Sequence, residues 1–301
     1  MSEVGSEDAV AAAHVAAPVR RGQEAFGAER QVHEPHRVGL PPIGPYLRTL
    51  WQRRDFAFEL SRTNLRAQHF NTVFGQFWLL INPLLLALVY FVLVDILRGG
   101  ERGSEFLAHL IAGLFAYYFV NTALTTAVRS VTSGGKLILN TAFPRVLLPL
   151  AAVITAFKRF LPTLPIYFVI HLVIGLPVGV ELLWGIPIIG LLVVLAAGLS
   201  IAVSALQVYF RDLKSFLPYG LRMWLYTSPI LYFADEVPER YEWILLINPL
   251  APMLTAWSDV LIFGRQPDGT DLAIGAAWAF GLLLAGMAFF MSREREFAVR
   301  I

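Results

Sequence analysis

The sequence contains no cysteine. That excludes disulfides, thiol nucleophiles, cysteine-ligated zinc and iron–sulfur clusters. Charge is also scarce: Asp, Glu, Lys and Arg make up 15% of the 301 residues, against roughly a quarter of an average soluble domain. Lysine is rarest of these, 3 against 21 arginines, which points to coding bias more than to a mechanism. The charge is unevenly spread, with a polar, arginine-rich first 70 residues and long apolar runs after them. With 56% hydrophobic residues and a mean hydropathy of +0.60, the chain reads as an all-α polytopic membrane protein. Its net charge of +2 says little, because the placement of charge sets topology.

Recognisable catalytic patterns are missing too. There is no HExxH, no GxSxG and no triad signature. Asp55, Asp95, Glu101, Glu105, Glu181 and Asp212 show no paired spacing, and the adjacent Asp235 and Glu236 read as a solvated turn. The histidines (His14, His33, His36, His69, His109, His171) are scattered, so no metal site is expected. SGGKLIL (133–139) lacks phosphate-loop spacing: Ser130 stands where the first glycine belongs, and Leu137 follows the lysine. No cofactor is therefore expected in this chain, and it reads as something other than an enzyme. An ion-coupled carrier is disfavoured as well, since no acid lies near the centre of any expected span and no inverted repeat is evident.

Apolar runs predict six spans, at about 74–97, 106–128, 146–176, 182–208, 216–234 and 272–291. The run WILLINPLAPMLTAWSDVLIFG (243–264) is long enough to cross, but Asn248-Pro249, Pro252 and Asp259 interrupt it. A re-entrant or interfacial position fits it better. Six spans put both termini on one side, with Arg129, Lys136, Arg145, Arg211, Lys214 and the tail SREREFAVR; the other side holds Arg98, Arg102, Arg240, Arg265 and the acidic ADEVPERYE. Positive-inside bias makes the first side cytoplasmic. Residues 1–40 have no sustained periodicity and no apolar signal-peptide core, so a disordered cytoplasmic tail is expected. Residues 41–72 interleave Leu47, Leu50, Trp51, Phe56 and Phe58 with Arg48, Arg53 and Arg54. This suits one amphipathic interface helix, and 73–301 then form the transmembrane domain.

Three polar or aromatic features stand out within that domain. LNTAFPRVLLPL (139–150) sets Pro144, which cannot donate a backbone hydrogen bond, beside Arg145, which would be expensive in a bilayer; topology makes it a turn between spans two and three. Lys158-Arg159 interrupts span three. Either the span begins after Arg159 and the pair snorkels to the cytoplasmic face, which is favoured, or the pair faces a wet cavity and could meet a phosphate-containing substrate. On span five, Phe216, Tyr219, Met223, Tyr226 and Ile230 recur at a 3–4–3–4 spacing and share a helical face. That face serves either helix packing or a sugar path, since sugars stack on aromatic rings. Phe70, Phe77 and Trp78 gather where span one begins, and Arg222, one turn into span five, either meets an anionic group or snorkels.

Four stretches taken in order carry a resemblance. TVFGQFWLLINPLLLALVYFVL resembles the opening span of the permease subunit of ABC-2-type exporters, with Phe74-Gly75 where many relatives have Leu-Gly. LNTAFPRVLLPL resembles the loop between their second and third spans. ALQVYFRDLKSFLPYGLRMWLYTSPILYF is similar to the "FRD" turn and fifth span, and VPERYEWILLINPLAPMLTAWSDVL to the outer "NPL" segment. The likeness covers about Tyr46 to the C-terminus, and within the group it resembles exporters of lipid-linked polysaccharide (O-antigen, teichoic acid, mycobacterial galactan). The resemblance implies a homodimer in the bacterial cytoplasmic membrane, partnered by two separate cytoplasmic ATPase subunits that bind the ATP and Mg. It implies short outer gate helices over about 237–264 that turn at Asn248-Pro249, an interface helix around Trp51, Arg53 and Arg54, and a conduit along spans one and five. On this reading Lys136, Phe143, Pro144 and Arg145 receive the ATPase stroke, and the substrate is a polyprenyl-pyrophosphate-linked polysaccharide. The competing readings are an ABC-2 exporter of drugs or small lipids, and a membrane-embedded glycan-processing enzyme, against which the missing carboxylate pairs argue.

Overall fold

The computed structural model describes residues 42–68, 78–100, 103–141 and 143–300. The expected tail, Phe70 and Phe77 lie outside them, as do the side chains of Trp78 and Lys136. Every regular element among the described residues is helical. The region before the first span forms two helices, α1 (Ile43–Gln52) and α2 (Arg54–Gln68), rather than the one expected; they part at Arg53, where φ is −101° and ψ 14°. Then come α3 (Trp78–Leu97), α4 (Ser104–Ser133), the short α5 (Gly135–Asn140), α6 (Leu147–Phe160), α7 (Thr163–Ile174), α8 (Gly185–Tyr209) and α9 (Leu213–Thr227). The chain closes with α10 (Glu242–Ile247), α11 (Ala251–Leu261), α12 (Gly269–Arg293) and α13 (Phe297–Arg300).

Among the described residues, four helical stretches are long and apolar enough to cross a membrane: Ser104–Ser133, Leu147–Ile174, Val180–Tyr209 and Gly269–Glu296. These correspond to expected spans two, three, four and six. The chain is thus a multi-pass membrane protein. The apolar part of α3, Ile81–Leu97, is shorter. The expected span over 216–234 is not helical throughout. The 15 residues of α9 cover about 22 Å, against roughly 30 Å of hydrocarbon. The helix stops because Ser228 precedes Pro229, which drives it to an extended conformation (φ −92°, ψ 147°). Ser228, Pro229 and Ile230 are buried, as non-helical backbone must be if it is to sit at membrane depth.

The axis of the bundle is α4, which packs against α3, α6, α7, α8, α9 and α11. Its first two-thirds are mostly apolar, and Ala108, Ala112, Ala116, Ala123 and Ala127 are buried at helical repeats. Small side chains of this kind let helices approach where lipid offers no hydrophobic driving force. The closest approach involves α8 and α12. A Cβ added at Gly198 would stand 2.5 Å from the Leu283 amide nitrogen, and one at Gly286 would stand 2.5 Å from the Gly198 carbonyl oxygen.

The two ends of the bundle differ in charge. At one end lie α1, α5 and the end of α12, and there Arg129, Arg211, Lys214 and Arg300 line a cavity of about 450 Å³. At the opposite end two arginines have carboxylate partners: Arg98 reaches Glu236 at 3.7 Å and Arg265 reaches Asp259 at 2.6 Å. The span built from α6 and α7 ends at that second end with Gly175 at φ 82°, a left-handed stop that favours glycine.

The crossing of α8 and α12 gives a direct test. Gly198→Val should lower stability by about 1–3 kcal/mol, because main chain rather than a movable side chain blocks the added atoms. Thermal unfolding of the purified protein in detergent measures it, with Gly190→Ala, which meets nothing within 4 Å, as the control.

Candidate functional site

A cavity of about 730 Å³ opens at the basic end, among α1, α5, the loop between α5 and α6, and the end of α12. Its walls bring together Tyr46 and Arg53, Phe143, Pro144 and Arg145, and Glu294. Glu294 begins the turn beyond α12 and ties three segments. The Tyr46 hydroxyl donates to Glu294 Oε2 at 2.7 Å, and the Arg145 backbone N–H donates to Glu294 Oε1. Arg145 Nη1 donates in turn to the Glu294 carbonyl, one of the acceptors that a helix end leaves without an intrahelical partner. Burial, with the Glu294 charge beside it, pushes the Tyr46 hydroxyl well above its usual value, so it stays a donor at physiological pH. Burial pulls the Arg145 guanidinium down while Glu294 and Tyr46 oppose it; an arginine so placed remains charged.

The loop residues expected from sequence to meet an ATPase therefore face largely inward. The Phe143 ring packs on Phe56 of α2, with centroids 4.8 Å apart, and Pro144 is buried. Asn140 and Thr141 are the exposed part of this segment. Trp51 stands 70% exposed, with the Arg54 guanidinium 4.6 Å over its ring, and Arg53 lines the groove. Lys136 offers no described side chain. Tyr46 and Glu294 escaped the sequence reading. The usable signal was an isolated pair of acids within the otherwise basic tail SREREFAVR.

At the opposite end Asn248 marks the turn between α10 and α11, whose axes bend by 104°. The turn matches the expected break at Asn248-Pro249. The buried Asn248 amide has a full set of partners: Oδ1 accepts from Trp224 Nε1 at 2.6 Å and from the Leu250 amide at 3.0 Å. Nδ2 donates to the Thr227 carbonyl at 3.2 Å and to Ser228 Oγ at 3.0 Å. Asn248 thus caps α9 from outside, serving the Thr227 carbonyl that the early stop at Ser228 leaves over. His109 of α4 joins the same region, with Nδ1 2.5 Å from Ser258 Oγ on α11.

The aromatic row on α9 is exposed: Phe216, Tyr219 and Met223 are each about two-thirds accessible, and Tyr226 is 44% accessible. Ile230 leaves the row, because the helix ends before it and its side chain is buried. Tyr226 meets Tyr90 of α3 edge-on at 6.5 Å, and Arg222 lies near Tyr90 and Tyr118. Lys158 and Arg159, adjacent on α6 and so about 100° apart around it, separate. Lys158 Nζ sits 5.8 Å over the Phe58 ring of α2, whereas Arg159 lines a cavity of about 230 Å³ between α3, α4 and α6. The two neighbours therefore face different surroundings.

Comparison with known proteins gives concordant matches. The pattern of the ABC-2 type transporter family matches residues 58–262. Two O-antigen export system permease proteins RfbA of Klebsiella pneumoniae are similar to this chain. One is 31% identical over 245 residues, covering 81% of this chain and 94% of its own length. The other is 32% identical over 211 residues, covering 70% and 81%. An O-antigen export system permease protein RfbA of Myxococcus xanthus is 26% identical over 261 residues, covering 85% and 98%.

Two substitutions test the tethers. Asn248→Ala removes four hydrogen bonds and leaves the half-buried Trp224 indole N–H without its acceptor, which should cost about 2–4 kcal/mol in thermal unfolding. Tyr46→Phe deletes a single donor to Glu294 and should cost about 1–3 kcal/mol, the range for a bond to a charged group. Hydrogen exchange should locate that loss at α1 and leave α11 protected.

Proposed function

This chain belongs to the ABC-2 type transporter family, and from that premise we propose that it is the permease of an ATP-driven exporter of polysaccharide. The cargo would be a polyprenyl-pyrophosphate-linked glycan, crossing the cytoplasmic membrane through a conduit formed by two copies of the chain. ATP and Mg would be held by two copies of a separate ATPase docked at the basic end. The observation that carries the polysaccharide reading is the similarity to O-antigen export permeases along 70% or more of this chain.

Several features of the fold support the reading. The concentration of Arg129, Arg211, Lys214 and Arg300 at the end that also holds α1 and the end of α12 fits a cytoplasmic face and cytoplasmic termini. On this view α3 and α9 serve as spans one and five, while α10 and α11 fold back as the outer gate. Ile43, Leu47 and Trp51 form an exposed apolar stripe on α1, at the i, i+4, i+8 spacing suited to lying in the headgroup layer. The exposed rings of Phe216, Tyr219 and Tyr226 offer stacking faces to sugars, with Arg222 among them.

The coupling element is then a brace. A force applied at α5 and the exposed Asn140 and Thr141 passes through Arg145 and Glu294 to α12, and through Phe143 to α2. Arg145→Glu would set two carboxylates against each other at this joint. With the partner ATPase co-purified, the variant should keep hydrolysing ATP while export falls about tenfold, as a coupling loss of about 1–2 kcal/mol gives. Undiminished export would remove the loop from the coupling path. The genes beside this one test the cargo: an ATPase among glycosyltransferases supports glycan export, whereas a drug-resistance ATPase beside a regulator would replace glycan by drug.

A further inference from the structure

The cavity between α3, α4 and α6 contains a cation with no counter-ion among the described residues. Arg159 is the sole charged residue among its described walls, which take polar atoms from Asn82, Asn121 and Thr122 and apolar surface from Phe119 and Phe160. Arg159 Nε is buried and has no hydrogen-bond partner among the described residues, and no described carboxylate pairs with Arg159. The connecting stretch 69–77, HFNTVFGQF, contains no Asp or Glu either. A half-buried guanidinium left unpaired is costly, so the site is built for an anion supplied from outside the chain. Its depth narrows the choice. Thr122 stands about 10 Å along α4 from Arg129, the first charged residue toward the basic end, and Arg159 about 18 Å along α6 from Leu147, which places the cavity among the helices rather than on the polar end surface.

We propose that this cavity binds the phosphate-bearing headgroup of a lipid. The Arg159 guanidinium presents a planar fork that matches two phosphate oxygens. Asn121 gives one amide proton to Tyr117 Oη at 3.3 Å and keeps the second for the ligand, and the Thr122 hydroxyl and Asn82 amide add donors. Phe119 and Phe160 keep water away from the pair and strengthen it. The 230 Å³ of the cavity is the room of about seven waters at ~30 Å³ each, which suits a phosphate or pyrophosphate rather than a sugar chain. This rests on the export reading for the natural occupant: the pyrophosphate of the polyprenyl carrier, held before the glycan moves. A bilayer phospholipid carries the same chemistry and is the other possible source.

The test uses the full-length chain with its partner ATPase in micelles of dodecyl maltoside, a detergent without phosphate, and measures equilibrium binding of tritiated undecaprenyl pyrophosphate. Arg159→Gln should weaken binding about tenfold or more, the loss of a charge-assisted hydrogen bond. Arg159→Lys should recover part of it, and undecaprenol, which lacks phosphate, should not compete. Competition by phosphatidylglycerol that disappears in Arg159→Gln would support the phosphate site and assign it to a resident phospholipid. Equal affinity of wild type and Arg159→Gln for both phosphate lipids overturns the proposal. Should Arg159→Gln fail to assemble with the ATPase, Asn82→Leu at the exposed rim must weaken pyrophosphate binding instead, and unchanged affinity there overturns it too. Polysaccharide export by cells carrying the wild-type chain is scored separately, so a failed phosphate site leaves the export reading standing, and absent export strikes that reading alone.

Discussion

Away from water, every backbone amide and carbonyl needs a partner within the protein, and that constraint governs where the helices of this chain can stop. Pro229 ends α9 after about 22 Å, and the carbonyls it leaves over need donors. Asn248 provides one to the Thr227 carbonyl, and another to the Ser228 hydroxyl, from the turn between α10 and α11, so the early end of one helix and the 104° bend of the next pair are one arrangement. Trp224 and the Leu250 amide complete the same side chain's bonds. A buried amide satisfied at both ends specifies one register of these elements and no other.

Glu294 plays the corresponding part at the basic end. Its carboxylate faces the Tyr46 hydroxyl and the Arg145 amide, while its carbonyl takes the Arg145 guanidinium. Three segments far apart in sequence become one mechanical unit there. This changes the sense of the FPR loop. Phe143 is half-buried on Phe56, Pro144 is buried, and Arg145 braces α12, so the loop is tied into the bundle rather than held out as a free surface.

Much of the fold was legible in the chain, for reasons that can be assigned residue by residue. The spans over 106–128, 146–176, 182–208 and 272–291 rest on apolar length, which the thickness of a bilayer fixes. The break at Asn248-Pro249 rests on proline chemistry. Span five was misread beyond Thr227 because hydropathy counts Ser228-Pro229-Ile230 as apolar without registering that the dipeptide ends a helix. The interface region was read as one helix because amphipathic spacing alone does not mark the parting at Arg53. Phe143, Pro144 and Arg145 were picked out correctly as a punctuated turn, but their inward orientation depends on Phe56 and Glu294, which no local pattern links to them.

The amino-acid sequence by itself determined the class of molecule: a cysteine-free, charge-poor helical membrane protein with basic residues gathered at one end. Composition and apolar length are local properties, and they decide the solvent in which a chain folds. Only the tertiary structure decided that Glu294 joins Tyr46 to Arg145, that Asn248 caps α9, and that Lys158 and Arg159 separate, one over Phe58 and one into a cavity. It also decided that Gly198 and Gly286 carry the closest helix approach. These pairings join residues tens to hundreds of positions apart, and their partners are fixed by close packing of whole helices, a property that no short window of sequence contains.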